Sequence, residues 1–184
     1  MLTIKPLFIA DSAEITTQPR VDHRGYFSRI FCQQALHEIN GGRAIQQMNL
    51  SFSKTCGTLR GLHYQSSPSA EDKIVRCMQG RIFDVMLDIR QDSATFGQYQ
   101  TIELDAEEGN MVYIPRGVAH GFQTLRDDCL VMYMHTEFHD PAAEGGFHYA
   151  SSSLNIPWPL AVKELSPRDQ DLPEFNPNTP GIAV

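Results

Sequence analysis

The chain has 184 residues, 41% hydrophobic and 20% charged, ordinary proportions for a globular protein of one domain. Its net charge of −7 excludes a nucleic-acid surface built on bulk positive charge, but leaves room for a local basic pocket that grips a phosphorylated small molecule. No stretch reaches the length of a membrane span and no long apolar run follows a charged start, so neither a membrane partner nor a signal peptide is expected. Cys32, Cys56, Cys77 and Cys129 are scattered, with no Cys-x-x-Cys. That is the pattern of reduced thiols in a cytoplasmic protein, not of a thiolate zinc site.

In chain order, residues 1–20 predict one or two edge strands, with prolines at 6 and 19. Asp22 to Gly25 predicts a turn and the aromatic run after it, to Phe31, a strand. Residues 32–40 predict a helix, with Ala35, Leu36 and Ile39 as its apolar stripe and Gly41-Gly42 as its stop. Residues 44–53 alternate: Met48, Leu50 and Phe52 share one face, Gln47, Asn49, Ser51 and Ser53 the other. The polar face is either solvated or the lining of a wet pocket.

Residues 57–65 (Gly-Thr-Leu-Arg-Gly-Leu-His-Tyr-Gln) predict a strand carrying Arg60 and His63. Strict alternation would send those two to opposite faces. A bulge at Gly61 would break the alternation and bring them to one side. Residues 73–90 predict a hairpin turning at Gln79-Gly80, with Phe83, Val85, Leu87 and Ile89 on one face of its second strand. Further strands are expected at 99–104, 111–114 and 130–136, the last with Val131, Tyr133 and His135 on one face. Six of the eleven prolines fall within 157–180. The segment 157–184 is expected to be a tail packed on the domain, since Trp158, Leu160 and Leu165 would otherwise be exposed. Many short strands, one short helix and no βαβ pattern mean an all-β sandwich or barrel.

Gly109-x5-Pro115-x-Gly117-x2-His120 matches the second motif of the cupins, small jelly-roll barrels, and Gly57-x5-His63 matches the start of the first. The next ligand position holds Gln65, so a mononuclear metal site would have only His63, His120 and Glu71 or Asp72, an incomplete set for a tightly held transition metal. Proton chemistry fits the remaining polar residues. An imidazole titrating near 6.5 suits His63 as general base, with Tyr133 as proton donor. Lys73 suits stabilisation of an oxyanion, and Arg24, Arg60 and Arg168 suit a diphosphate. Against each stands a plain structural reading: a satisfied sheet histidine, a core or rim tyrosine, a surface lysine, solvated arginines.

The chain resembles the dTDP-4-dehydrorhamnose 3,5-epimerases, the RmlC-like cupins of deoxysugar biosynthesis. The matching residues run from about 20 to 173. They include Asp22-His23-Arg24-Gly25-Tyr26-Phe27, Gln47-Met48-Asn49, Leu59-Arg60-Gly61-Leu62-His63-Tyr64-Gln65, Lys73-Ile74-Val75-Arg76-Cys77, Ser93-Ala94-Thr95-Phe96-Gly97, Ile114-Pro115-Arg116-Gly117-Val118-Ala119-His120-Gly121-Phe122, Tyr133, Glu144-Gly145-Gly146, Ile156-Pro157-Trp158-Pro159 and Leu165-Ser166-Pro167-Arg168-Asp169. The resemblance implies an all-β cupin-type double-stranded β-helix, a jelly-roll barrel with one or two short helices. It implies an enzyme without metal or other cofactor, inverting C3 and/or C5 of a nucleoside-diphosphate 4-keto-6-deoxyhexose. His63 would abstract the proton, Asp169 would orient it, Lys73 would stabilise the enolate and Tyr133 would return a proton from the opposite face. Arg24, Gln47, Asn49, Arg60, His120, Glu144 and Arg168 fall at positions that bind nucleotide, diphosphate or sugar. A homodimer is implied too, with N-terminal strands contributed across its interface.

Three departures stand out. Arg29 replaces the glutamate usual in the nucleotide site, so the resemblance implies a binding residue of reversed charge at position 29. Arg168 replaces lysine. Residues 147–152 replace a run that begins with tryptophan. Two other readings remain: a cupin that binds a sugar nucleotide without turning it over, and a metal-dependent cupin isomerase or dioxygenase.

Overall fold

The computed structural model describes residues 1–184. Its elements in chain order are β1 (Leu2–Pro6), β2 (Ala13–Thr17), β3 (Arg20–Asp22), β4 (Gly25–Phe27), α1 (Gln33–Asn40), β5 (Gln47–Ser53), β6 (Leu59–Gln65), β7 (Lys73–Gln79), β8 (Arg81–Asp88), β9 (Tyr99–Asp105), β10 (Met111–Ile114), β11 (Val118–Thr124), β12 (Cys129–His135), β13 (Glu144–Gly146) and α2 (Pro167–Gln170). One sheet has the order β1-β2-β10-β7-β12-β5 and the other β13-β6-β11-β8-β9, while β3 and β4 form a separate hairpin. All named pairs are antiparallel. Chain-distant strands therefore sit side by side, as a jelly roll requires.

Period-two patterns turn this order into three apolar layers. The residues that both sheets point inward, among them Val75, Cys77, Ile82, Met86, Val112, Val118, Phe122 and Val131, form the central core. The outer face of the six-stranded sheet packs Ile74, Met111, Tyr113, Met132 and Met134 under Leu36 of α1. The outer face of the five-stranded sheet packs Leu62, Val85, Leu87 and Ile89 under Leu154 and Phe175 of the C-terminal segment. Each such side chain, fully buried, contributes roughly 1.5–3 kcal/mol before chain entropy is subtracted.

Several expectations change against this frame. Residues 73–90 are not a hairpin: β7 pairs with β10 and β12, and β8 with β9 and β11. The turn at Gly80, with φ of 82°, carries the chain from one sheet to the other. The apolar face of β8 looks outward to the tail, so its alternate face, with Ile82, Asp84 and Met86, faces the barrel interior. β11 escapes a periodicity search because His120, Gly121 and Gln123 interrupt its apolar pattern, yet it is the middle strand of its sheet. β1 is an edge strand, but β2 lies between β1 and β10. Only Gly25–Phe27 of the aromatic run is a strand. In the C-terminal segment Trp158 packs edge-on against Phe83, while Leu160 stays 39% exposed.

Candidate active site

The inward polar residues surround a cavity of about 400 Å³. β5 contributes Gln47, Asn49 and Ser51, β6 contributes Arg60 and His63, and β12 contributes Tyr133 and His135. Lys73 begins β7, His120 lies on β11, Glu144 on β13, and α2 adds Arg168 and Asp169. The polar face of β5 is thus a pocket lining. Its apolar face is the one in solvent, with Met48, Leu50 and Phe52 between 55% and 66% exposed.

Arg60 and His63 share the cavity because β6 carries one extra residue against β11. His63 pairs with His120 and Arg60 with Phe122, so three steps along β6 match two along β11. A bulge of this kind re-aims side chains. It needs two glycines in contact: a Cβ on Gly61 would meet Gly121 Cα and the His120 carbonyl oxygen at 2.6 Å, and one on Gly121 would meet the Arg60 carbonyl oxygen at 2.7 Å.

His63 Nε2 lies 2.6 Å from Asp169 Oδ1, in a side chain that is 29% exposed on its cavity side. Nδ1 has no hydrogen-bond partner within the chain. Asp169 is held by its own helix: Ser166, the N-cap of α2, accepts from the Asp169 amide at 3.0 Å. Its Oδ2 accepts from the Gly61 amide at 3.3 Å. Burial acts to raise the Asp169 pKa, but the hydrogen bond from His63, with the Gly61 and Ser166 contacts, holds the carboxyl below its ordinary range. The pair therefore consists of an imidazole backed by a carboxylate.

Tyr133 stands between two imidazoles, 6.0 Å from the His120 ring centre and 5.8 Å from that of His135. Burial and the Asp84 carboxylate push its pKa well above the ordinary phenol range, with Arg60 opposing. It stays a phenol, able to donate, at any physiological pH. Lys73 has its ammonium 3.3 Å from Glu71 and 3.4 Å from the His63 carbonyl oxygen. Arg60 donates to Ser53 Oγ and the Phe52 carbonyl oxygen, both at 3.2 Å. Arg168 and Glu144 pair with each other at 2.8 Å on the cavity rim.

Two expected binding residues lie elsewhere. Arg24 is at the tip of the β3–β4 hairpin, paired with Asp22 at 2.6 Å, its side chain 78% exposed. Arg29 follows that hairpin and lies beside Arg20 and Phe27, away from the cavity. The cause is topological: β3 and β4 pair only with each other, so nothing in this chain folds them back over the barrel. The residues weighed as metal ligands are each engaged differently. His120 pairs with Asp84 at 2.7 Å, Glu71 with His135 at 2.8 Å, and Asp72 with Arg43 at 2.6 Å. Gln65, at the cupin ligand position, instead clasps a loop through Ser69, Phe138 and Asp140. No group of three or more His, Cys, Asp or Glu converges in a metal-holding arrangement. Asp84 and His135 were missed as site residues. Their inward register was the available clue, since Asp84 alternates with Ile82 and Met86, and His135 with Tyr133.

The barrel, and a cavity that holds an imidazole–carboxylate pair together with a phenol, define a jelly-roll cupin equipped for acid–base chemistry. Comparison with known proteins gives the family. The family model of dTDP-4-dehydrorhamnose 3,5-epimerase matches residues 6–177. The dTDP-4-dehydrorhamnose 3,5-epimerase of Shigella flexneri is 41% identical over 155 residues, 83% of this chain and 85% of that protein. The dTDP-4-dehydrorhamnose 3-epimerase of Streptomyces niveus is 36% identical over 171 residues, 92% of this chain and 82% of that protein. The structure of the Bacillus anthracis 3,5-epimerase with TDP and PPi bound superposes with a TM-score of 0.91 at 33% identity, over 95% of this chain and all of that one. The chain belongs to the dTDP-4-dehydrorhamnose 3,5-epimerase family.

Proposed function

We propose that the protein epimerises C3, C5 or both of a nucleoside-diphosphate 4-keto-6-deoxyhexose, with dTDP as the carrier that its relatives use. The observation that carries this is the 2.6 Å contact of His63 with Asp169 in a cavity shared with Tyr133 and Lys73. The C4 ketone acidifies the C–H bonds on either side. His63 Nδ1 takes one of those protons while Nε2–H stays on Asp169, the base–orienter arrangement of catalytic triads. The electron pair moves to the ketone oxygen, and the Lys73 ammonium stabilises the enolate. Tyr133 delivers a proton to the opposite face of the carbon, which inverts it and restores the ketone; the His63 imidazolium then loses its proton to solvent and Tyr133 regains one from solvent. Arg60, Gln47, Asn49, His120, Glu144 and Arg168 bind the sugar nucleotide around this centre.

The same reading makes the protein a homodimer. Val21, Tyr26 and Phe27 of the β3–β4 hairpin are each more than 70% exposed, and the apolar face of β5 (Met48, Leu50, Phe52) is more than half exposed. A hairpin that crosses to a second copy would bring Arg24 and Arg29 to that copy's cavity and cover both faces. Arg29 would then contact the nucleotide with a positive charge. All four cysteines are free thiols, which suits the cytoplasm, and no helix is long and apolar enough to cross a membrane.

The test is incubation with the dTDP-linked 4-keto-6-deoxyglucose in D2O, followed by NMR. Deuterium at C3, C5 or both supports the activity. No incorporation with dTDP-, CDP- or GDP-linked substrates removes it. Which carbon takes up label distinguishes double from single epimerisation.

A further inference from the structure

The cavity holds one more imidazole–carboxylate pair, which the chemistry above leaves unused. His135, the last residue of β12, directs Nδ1 at Glu71 Oε2, 2.8 Å away, and the two side chains are only 13% and 8% exposed. The other ring nitrogen, Nε2, lies 3.3 Å from Asn49 Nδ2 on the neighbouring strand β5. Glu71 Oε1 lies 3.3 Å from Lys73 Nζ. Lys73, Glu71, His135 and Asn49 thus form one continuous chain of polar contacts, drawn from β7, the loop before it, β12 and β5.

Chemistry fixes the direction of that chain. An ammonium only donates, so Glu71 accepts from Lys73. Burial opposes ionisation of Glu71, yet His135 and Lys73 together hold its pKa below the ordinary value, so it is a carboxylate and accepts from His135 Nδ1–H as well. His135 Nε2 faces an amide nitrogen, which only donates, so Nε2 is the acceptor and the ring is the neutral Nδ1–H tautomer. Asn49 then turns its NH2 group to His135. Its amide oxygen accepts from nothing in the chain and is left for a ligand.

We infer that Glu71 and His135 are positioning residues that fix Asn49 as a hydrogen-bond acceptor alongside the Lys73 donor, making the cavity selective for a ketone flanked by a hydroxyl. This rests on the epimerase reading, because it places the ketone oxygen on Lys73. The hydroxyl that donates to Asn49 Oδ1 is the one on C3, next to the C4 ketone. A 3-deoxy analogue leaves that acceptor unpaired, and a site built around such a bond discriminates against the analogue that lacks it.

The experiment measures kcat/KM for deuterium incorporation beside the ketone, at C3 or C5, whichever the wild type exchanges, with the 4-keto-6-deoxyhexose nucleotide and its 3-deoxy analogue. It is run at about pH 8, above the ordinary imidazole range of about 6.5. The wild type is expected to prefer the hydroxylated sugar by about tenfold or more. His135→Phe keeps a ring stacked on Tyr133 but removes both nitrogens, and is expected to bring the ratio to within about twofold. His135→Gln, whose amide oxygen reaches the Nε2 position, is expected to restore most of the preference. A purely structural role would slow both sugars alike, and an unchanged ratio in folded His135→Phe overturns the inference. Should that variant not fold, Glu71→Met removes the acceptor for Nδ1–H at similar length and must lower the same ratio, or the inference falls. Exchange by the wild type with the ratio unmoved in the variants removes this inference alone. No exchange by the wild type removes it together with the activity.

Discussion

Replacing Asp169 by asparagine probes the proposed base most sharply, because it removes a charge and little else. The Gly61 amide can still donate to an amide oxygen, and the Ser166 hydroxyl keeps the bond it accepts from the amide of residue 169. What disappears is the negative charge behind His63, 2.6 Å from Nε2. Proton abstraction turns the imidazole into an imidazolium, so that charge acts more strongly on the transition state than on the resting enzyme. Two unit charges about 4 Å apart attract by roughly 4 kcal/mol at an effective dielectric of about 20. The cavity-side exposure of the ring reduces the figure to about 3 kcal/mol, or about a hundredfold in rate. Asp169→Asn is therefore expected to lower the rate of deuterium wash-in by about two orders of magnitude with little change in substrate affinity. Exchange within about threefold of the wild type, in a variant of unaltered melting temperature, would refute the base–orienter assignment.

Three further outcomes follow from the geometry. Tyr133→Phe should retain label wash-in through His63 but lose most of the inversion, read as product stereochemistry by NMR; wild-type inversion would show that another group delivers the proton. Gly121→Ala should cost about 1–3 kcal/mol in chemical denaturation and slow exchange roughly a hundredfold, because its methyl forces β6 from β11 and displaces His63. Wild-type stability and exchange in that variant would remove the case for the bulge. Asp88 is buried, which raises its pKa, but hydrogen bonds from Arg90, Ser93 and Thr95 outweigh burial and hold it below its ordinary value of 3.8. A depressed folded pKa stabilises above the unfolded value and is lost as pH falls through the folded one. Asp88→Asn should therefore cost roughly 3 kcal/mol at neutral pH and flatten the fall in stability below about pH 4; an equally steep acid transition in the variant would contradict this.

Most of the site was legible in the sequence, and the part that was not has physical causes. The residues proposed for catalysis, and Gln47, Asn49, Arg60, His120, Glu144 and Arg168 proposed for binding, all meet in one cavity. Period-two patterns in β5 and β12 put their polar and aromatic residues on a common face, and the glycine in β6 announced the bulge. Strand pairing was less legible. Gly80 looks like a hairpin turn because a short connection says nothing about whether the next strand pairs back or enters the opposite sheet. The apolar stripe of β8 does not by itself say which way it faces: the C-terminal segment covers it from outside, which turns Asp84 toward His120. His135 and Glu71 were unreadable as a pair, since 64 residues separate them and only the β7–β12 register brings them together. Arg24 and Arg29 lie outside the cavity because one chain offers no strand for their hairpin to join.

The most direct measurement is the rate of solvent deuterium incorporation into a dTDP-linked 4-keto-6-deoxyhexose by the wild type and by His63→Ala, with dTDP affinity measured alongside. The expected result is exchange by the wild type and a loss of about a thousandfold or more in the variant, with nucleotide affinity preserved. Exchange by His63→Ala at the wild-type rate would contradict the account, because no imidazole would then be needed at the carbon beside the ketone.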